Sequence, residues 1–241
     1  MVSAGNNTNV NVAALIAAGG QGLRMATKMG RRKQFILLEG KPVLAYAIEK
    51  FQDSHFVDAI ILVVPAEEID YVEKEIVVSY AFGKVTAIVP GGKERQDSVA
   101  NGLANLSNET ELVIVHDGVR PFISDEMIEN SVKVARECGA AIVGIKAPDT
   151  IKEADRERQV LRTLERDLLW LIQTPQTFKL SLLKQAFLEA RKSGFYGTDE
   201  AALLERLGLF PKIINGSSLN IKITTPDDLA LAKAILKHGL Y

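Results

Sequence analysis

Short apolar runs alternate along this chain with longer stretches in which apolar residues recur every three or four positions. The runs are Val12 to Ala18, Ala59 to Val64, Val85 to Val89, Leu112 to Val115 and Ala140 to Ile145. Short and flanked by polar residues, they have the pattern of buried parallel strands. Between them, Pro42 opens a stretch with Val43, Leu44, Ala47, Ile48 and Phe51 at helical steps. Glu67 to Tyr80 and Asp97 to Leu106 also read as helices, and Ser124 caps one that runs to about Cys138. Strand and helix in alternation predict right-handed βαβ units, so the fold class is α/β, Rossmann-like, with a mostly parallel sheet.

The pattern changes between Pro148 and Arg166. Short alternating segments, Asp149 to Lys152 and Gln159 to Leu164, flank the charged turn Asp155-Arg156-Glu157-Arg158 and predict a β-hairpin arm over about 148–166. A turn-rich strand exit follows at Ile172 to Phe178, then a helix from Leu180 to Ser193 and another begun by Gly197 to Ala201 with Thr198 as its cap. Short strands are expected at Ile213-Ile214 and Ile221 to Ile223, and a closing helix from Thr225-Pro226 to about Lys237. No linker interrupts this run, so residues 12–241 form one domain behind a flexible tail, residues 1–11.

Composition narrows the partners. Apolar residues are 47% of 241, enough for a core, and no apolar run nears the roughly 18–20 residues that cross a bilayer. A net charge of −1 argues against binding nucleic acid through a basic surface. The first residues form neither a basic nor an apolar leader, so a cytoplasmic protein is expected. Cys138, the one cysteine, excludes an internal disulfide and reads as a small buried hydrophobe.

In such sheets ligands gather beyond the carboxyl ends of the strands. The first strand runs into Ala18-Gly19-Gly20-Gln21-Gly22-Leu23-Arg24, whose glycines let backbone N–H groups approach a polyphosphate. Arg24 and Lys33 add charge beside it. The loop lacks the Lys-Ser/Thr pair of a P-loop, and its glycine spacing fails the dinucleotide fingerprint, which disfavours a nicotinamide-dependent oxidoreductase. The third strand ends at Gly91-Gly92, which open a helix holding Ser98. The fourth ends at His116-Asp117-Gly118-Val119-Arg120. Asp117 stands where a magnesium nucleotide needs a carboxylate, Arg120 has the alternative role of tying down the loop through carbonyls, and His116 reads as a packed histidine.

Taken in order, several segments resemble one family. They are the glycine loop, Lys33-Gln34, Gly92 to Ser98, His116-Asp117 with Arg120-Pro121, Asp149 to Lys152, Gln173 to Gln176, Thr198 to Ala201 and Asn220 to Thr224. The family is the cytidylyltransferase of the non-mevalonate isoprenoid pathway, among the nucleotidyltransferases, and the resemblance covers about residues 12–238. It implies that CTP and 2-C-methyl-D-erythritol 4-phosphate give the CDP-linked polyol and pyrophosphate, with Mg²⁺, in a homodimer built by the hairpin arms. By matching position, Ala18, Gly19, Gly20, Gly92, Ser98 and Gly118 would hold the cytidine part, and Arg24, Lys33 and Lys222 would surround the phosphates. Asp117 would lie near metal and ribose; Arg120, Thr150, Arg166, Thr174 and Thr198 would line the polyol-phosphate site, some from the partner subunit. Three departures stand out: a long spacing from Arg24 to Lys33 that admits Lys28, Arg31 or Arg32 to the role, Lys93 where an acid is common, and Leu219 in place of an acid. The rival reading is the ribitol-5-phosphate cytidylyltransferase of teichoic acid synthesis; Trp170 after Arg166, and Leu203 to Gly208 after the Thr198 motif, favour the isoprenoid enzyme.

Overall fold

The computed structural model describes residues 11–20 and 32–241. Strand β1 (Val12–Ala17) lies inside a seven-stranded sheet of order β11-β7-β10-β6-β1-β4-β5. Its neighbours β4 (Ala59–Val64) and β6 (Leu112–Asp117) run parallel to it, with Ala17 level with both Val63 and Asp117. Strand β5 (Val85–Pro90) extends the sheet beyond β4. These strands therefore end together, and their exits share one edge: Ala18 N–H donates to the Val63 carbonyl at 2.7 Å, Gly91 to Val64 at 2.7 Å, and Gly118 to Ala17 at 3.0 Å.

On the other side of β6, strand β10 (Trp170–Lys179) is antiparallel to β6 and to β7 (Ala140–Lys146), and β11 (Lys212–Asn215) pairs parallel with β7. The ladder between β10 and β7 shifts register between Ile172 and Gln176, which lifts Gln173 to Pro175 out of regular pairing. This is the segment that reads from sequence as a strand exit. It belongs to a long strand with an irregularity at the site.

The apolar runs are continuous because both faces of the sheet are covered. Ala14, Ile16, Ile60, Leu62 and Ile114 pack on one face against helices α1 (Val43–Asp53) and α4 (Asp125–Cys138). Ala13, Leu15, Ile61, Val63 and Val115 pack on the other against α3 (Arg95–Leu103) and α5 (Leu180–Ser193). Period-two alternation is present but hidden, since each face meets apolar side chains. Burial of each such Leu or Ile stabilises the fold by about 1.5–3 kcal/mol. Helix α3 sits so close to β1 that a Cβ on Gly102 would fall 2.4 Å from Leu15 Cδ1.

Several local expectations hold and others change. Ser124 Oγ accepts from Met127 N–H, and Thr225 caps α7 (Pro226–Lys237) through a reciprocal box with Asp228. The helical stretch after Pro65 is a 3₁₀ turn, a short α2 (Ile69–Tyr71) and π-type turns over Val72–Val78, rather than one regular helix; it still brings Val72 and Ile76 into the core. Helix α6 (Glu200–Glu205) is capped by Asp199, whose Oδ1 accepts from Ala202 N–H at 3.0 Å, and not by Thr198. Ile221 to Ile223 form no strand; one bond, Ile223 N–H to the Val119 carbonyl at 2.9 Å, tethers them. Cys138 is exposed, because it ends α4 on the solvent side, just before the left-handed Gly139.

The hairpin forms as expected, with β8 (Lys152–Ala154) against β9 (Val160–Thr163) in a separate two-stranded sheet whose residues are all exposed. The small β2–β3 hairpin (Leu37–Leu38, Lys41–Pro42) leads into α1. Among the described residues no helix is long and apolar enough to cross a membrane.

Candidate active site

Where β1 and β5 end, two backbones touch. A Cβ on Gly19 would lie 3.0 Å from Gly91 Cα, and one on Gly92 would lie 2.3 Å from Asp97 Cβ, so this loop pair needs glycine at these positions. Ser98 braces it: its hydroxyl accepts from Gly92 N–H at 3.0 Å and donates to the Glu94 carbonyl at 3.1 Å. Gln34 braces the first loop, donating from Nε2 to the carbonyls of Ala18 at 2.8 Å and Gly20 at 3.3 Å. Its Oε1 is buried and has no partner among the described residues. A cleft of about 360 Å³ opens between the two loops, lined by Ala18, Gly19, Gly20, Lys33, Gly92 and Ser98, with Asp117 and Lys222 in its wall.

A second cleft of about 360 Å³ adjoins it, lined by Arg120, Thr174 and Thr198 among others. Arg95, Asp117 and Lys222 line both. The dividing wall is thus a charged cluster centred on Asp117. Its Oδ2 lies 2.8 Å from Lys222 Nζ and 3.6 Å from Arg120 Nε, and its Oδ1 lies 3.4 Å from Arg95 Nε. Burial would raise the Asp117 pKa, but Arg95, Lys222 and Arg120 outweigh it and hold the carboxyl well below the usual range. Asp117 is thereby held as a carboxylate.

The strand end that carries Asp117 is fixed by neutral hydrogen bonds. Asp117 N–H donates to Thr174 Oγ1 at 3.1 Å, the Thr174 hydroxyl then donates to His116 Nδ1 at 3.0 Å, and His116 Nε2–H donates to the Arg120 carbonyl at 3.1 Å. His116 is fully buried with its ring edge against Phe51, and burial pushes its pKa down to about 4, so it stays neutral. It is the packed histidine that the sequence suggests.

Lys222 is positioned from below. Asn220 Nδ2 donates to Gln173 Oε1 at 3.1 Å and to the Thr174 carbonyl at 2.9 Å, and Arg120 donates to the Asn220 carbonyl at 2.7 Å. Arg120 therefore does both things open to it: it ties down a loop through a carbonyl and lines the second cleft.

Other expected residues stand elsewhere. Arg24, with Lys28 and Arg31, lies outside the described residues. Arg32 pairs with Glu67 and Glu68 and lines neither cleft. Gly118 lines neither cleft; a Cβ there would sit 2.9 Å from Leu44 Cδ1 and 3.0 Å from Ala18 Cβ, so its smallness serves packing below the glycine loop. Thr150 and Arg166 sit on the exposed hairpin, Arg166 donating to the Pro148 carbonyl at 3.3 Å, and neither reaches a cleft of its own chain. Lys93 lines the first cleft. Leu219 packs on the apolar cluster around Phe122 and Ile223 and lines neither cleft.

Gln34, Arg95, Asn220 and Glu200 belong to segments that carry the resemblance, yet sequence reasoning assigned them no role. Arg95 and Glu200 stand 105 positions apart, and their 2.6 Å ion pair is visible only after folding.

Among the described residues no group of three His, Cys, Asp or Glu could hold a metal by itself. Asp117 is an ionised carboxylate in the cation-rich wall between the clefts. That suits a hard cation held by one carboxylate together with the oxygens of a polyphosphate.

Known proteins resemble this chain in sequence and fold. Residues 12–238 match the sequence profile of 2-C-methyl-D-erythritol 4-phosphate cytidylyltransferase. A protein of that name from Syntrophus aciditrophicus is 43% identical over 226 residues, 94% of this chain and 96% of its own. Another from Alkaliphilus oremlandii is 45% identical over 223 residues, 92% of this chain and 94% of its own. A crystal structure of 4-diphosphocytidyl-2C-methyl-D-erythritol synthase from Anaerococcus prevotii superposes with a TM-score of 0.84 at 33% identity, covering 95% of this chain and 97% of the other.

Proposed function

The chain belongs to the 2-C-methyl-D-erythritol 4-phosphate cytidylyltransferase family, and on that premise we propose how its two clefts carry the reaction. CTP occupies the cleft between the Gly19 and Gly92 loops, and 2-C-methyl-D-erythritol 4-phosphate occupies the cleft at Thr174 and Thr198. The acceptor's phosphate oxygen attacks the α-phosphorus of CTP, and pyrophosphate leaves. The products are 4-diphosphocytidyl-2-C-methyl-D-erythritol and pyrophosphate. The observation that carries this is the Asp117 cluster, which puts Lys222 and Arg95 in the wall common to both clefts. A bond formed between ligands in two clefts must form at the wall they share.

The residues have separable tasks. The backbone of Ala18, Gly19, Gly20 and Gly92, with Gln34 and Ser98 holding the loops, shapes the cytidine and phosphate cradle. Lys33 and Lys222, with Arg24 as the resemblance implies, face negative charge that grows on the five-coordinate phosphorus; positioning and charge suffice, and no covalent nucleophile is needed. Asp117 keeps the amine of Lys222 in place. Bound Mg²⁺ would supply charge neutralisation to the polyphosphate, with Asp117 the carboxylate to hold it.

Thr150 and Arg166 fit the acceptor cleft of a second copy, reached by the hairpin arm. Support comes from the arm's surface, where Val160 and Leu161 are 55% and 61% exposed. Apolar side chains on a projecting two-stranded hairpin suit burial in a homodimer.

Pyrophosphate release with CTP and Mg²⁺ tests the reading, offering methylerythritol phosphate and ribitol 5-phosphate in parallel. Release with the first acceptor alone is expected. Release with the second alone would overturn the acceptor, and silence with both would overturn the reaction.

A further inference from the structure

Glu200 is the most deeply buried acid near the site, with its side chain only 2% exposed, yet it lines neither cleft. Its Oε1 accepts from Arg95 at 2.6 Å, and its Oε2 has no partner among the described residues. A buried carboxylate is costly unless something is gained by keeping it. Burial raises its pKa, and Arg95 works against that.

The surroundings fix Glu200 closely. The Gln176 amide donates to Asp199 Oδ2 at 2.8 Å and accepts from Ala201 N–H at 3.3 Å, gripping the start of α6 on one side. Gln96 grips the approach from the other, donating to the Phe195 carbonyl at 3.0 Å and accepting from Gly197 N–H at 2.9 Å. Tyr196 donates to Asp97 at 3.1 Å. Residues 95–97, the first turn of α3 behind the nucleotide loop, thereby hold the segment that carries Thr198 and Asp199 in the acceptor cleft.

Arg95 is the branch point. Its guanidinium lies between two carboxylates, tight on Glu200 at 2.6 Å and loose on Asp117 at 3.4 Å. Without Glu200, nothing would keep this fork from closing on Asp117, where two parallel N–H···O bonds are available to it. Such a pair would compete with Lys222 for the same carboxylate.

Resting on the functional reading above, we propose that Glu200 is a positioning residue that withholds Arg95 from Asp117, leaving Asp117 to hold Lys222 at the wall between the clefts. Glu200 touches no substrate and acts through Arg95. Asp117, Arg95 and Glu200 thus tie the nucleotide loop to the acceptor loop, and the geometry at Lys222 depends on all three.

The test compares wild type, Glu200→Gln, Arg95→Met and the double variant. Wild-type turnover of CTP with methylerythritol phosphate is established first, so that failure of the reaction is seen separately. Glu200→Gln should melt as a folded protein with its CTP dissociation constant within about 3-fold of wild type, while kcat falls about 10- to 100-fold, as for a displaced reacting group. With Arg95 already removed, adding Glu200→Gln should cost nothing more in kcat and should restore thermal stability by relieving an unpaired buried charge. A crystal structure of Glu200→Gln reads the same point without turnover: Arg95 should close on Asp117 to below about 3 Å. An unchanged kcat per folded molecule with Arg95 unmoved, or independent effects of the two substitutions, would overturn the proposal.

Discussion

Protonation of His116 is coupled to folding, and the sign follows from its burial. Its pKa falls from the ordinary 6.5 to about 4, burial being the main cause and the Arg120 carbonyl and Asp117 acting against it. Below pH 6.5 the unfolded chain accepts a proton that the folded protein refuses. Stability contributed by neutral His116 is therefore full above pH 6.5, declines as pH falls, and is exhausted near pH 4. At about 1.4 kcal/mol per pH unit, lowering pH from 7 to 5 removes about 2 kcal/mol, and the whole window about 3 kcal/mol. Glu200, whose pKa burial raises against Arg95, pulls the other way. The comparison must therefore be differential. His116→Gln is neutral at every pH, can still donate to the Arg120 carbonyl, and leaves the Thr174 hydroxyl without its acceptor, so its absolute stability is lower by about 1–3 kcal/mol. Urea unfolding at pH 7, 6 and 5 isolates the slope. Wild type should lose about 2 kcal/mol more than the variant between pH 7 and 5, or about 4–8 °C in Tm. Parallel pH profiles would refute the buried, neutral histidine.

Two further outcomes follow from the site and the arm. Lys222→Ala, whose side chain is 39% exposed, should leave the melting temperature within a few degrees and lower kcat by about two to three orders of magnitude, by analogy with a lost oxyanion donor; near-normal turnover would remove Lys222 from the phosphate site. Leu161→Asp on the exposed hairpin should leave the protomer folded by circular dichroism but shift light-scattering mass from dimer toward monomer, and an unchanged mass would detach the arm from dimerisation.

Much of this protein is legible in the order of its residues. Continuous apolar runs at Val12 to Ala17, Ala59 to Val64 and Leu112 to Val115 require covering on both faces, and that alone implies a parallel sheet between helices. Caps at Ser124 and Thr225 are local chemistry, set by a side chain and an N–H three residues on. Glycines at 19 and 92 mark the nucleotide loop because close backbone approach leaves no alternative residue. The hairpin also announces itself, since its alternation and charged turn are confined to one short stretch.

Tertiary structure decided what depends on distant parts meeting. Thr198 and Asp199 are both good caps by type, and only the chain's path selects Asp199. Cys138 is apolar enough to bury, but the last turn of α4 faces water. Asp117 could be read as a metal ligand from its place at a strand end, whereas its engagement by Lys222, Arg120 and Arg95 arises because β6, α3 and the 220–222 segment converge. Glu200 lies deepest in this respect: an acid in the first turn of a helix looks like ordinary dipole chemistry, and its partner is 105 residues away. Periodicity and turn chemistry are short-range and can be read along the chain. Charge balance in a buried site is a sum over every segment that reaches it, and that sum exists only once the sheet has brought its strand ends together.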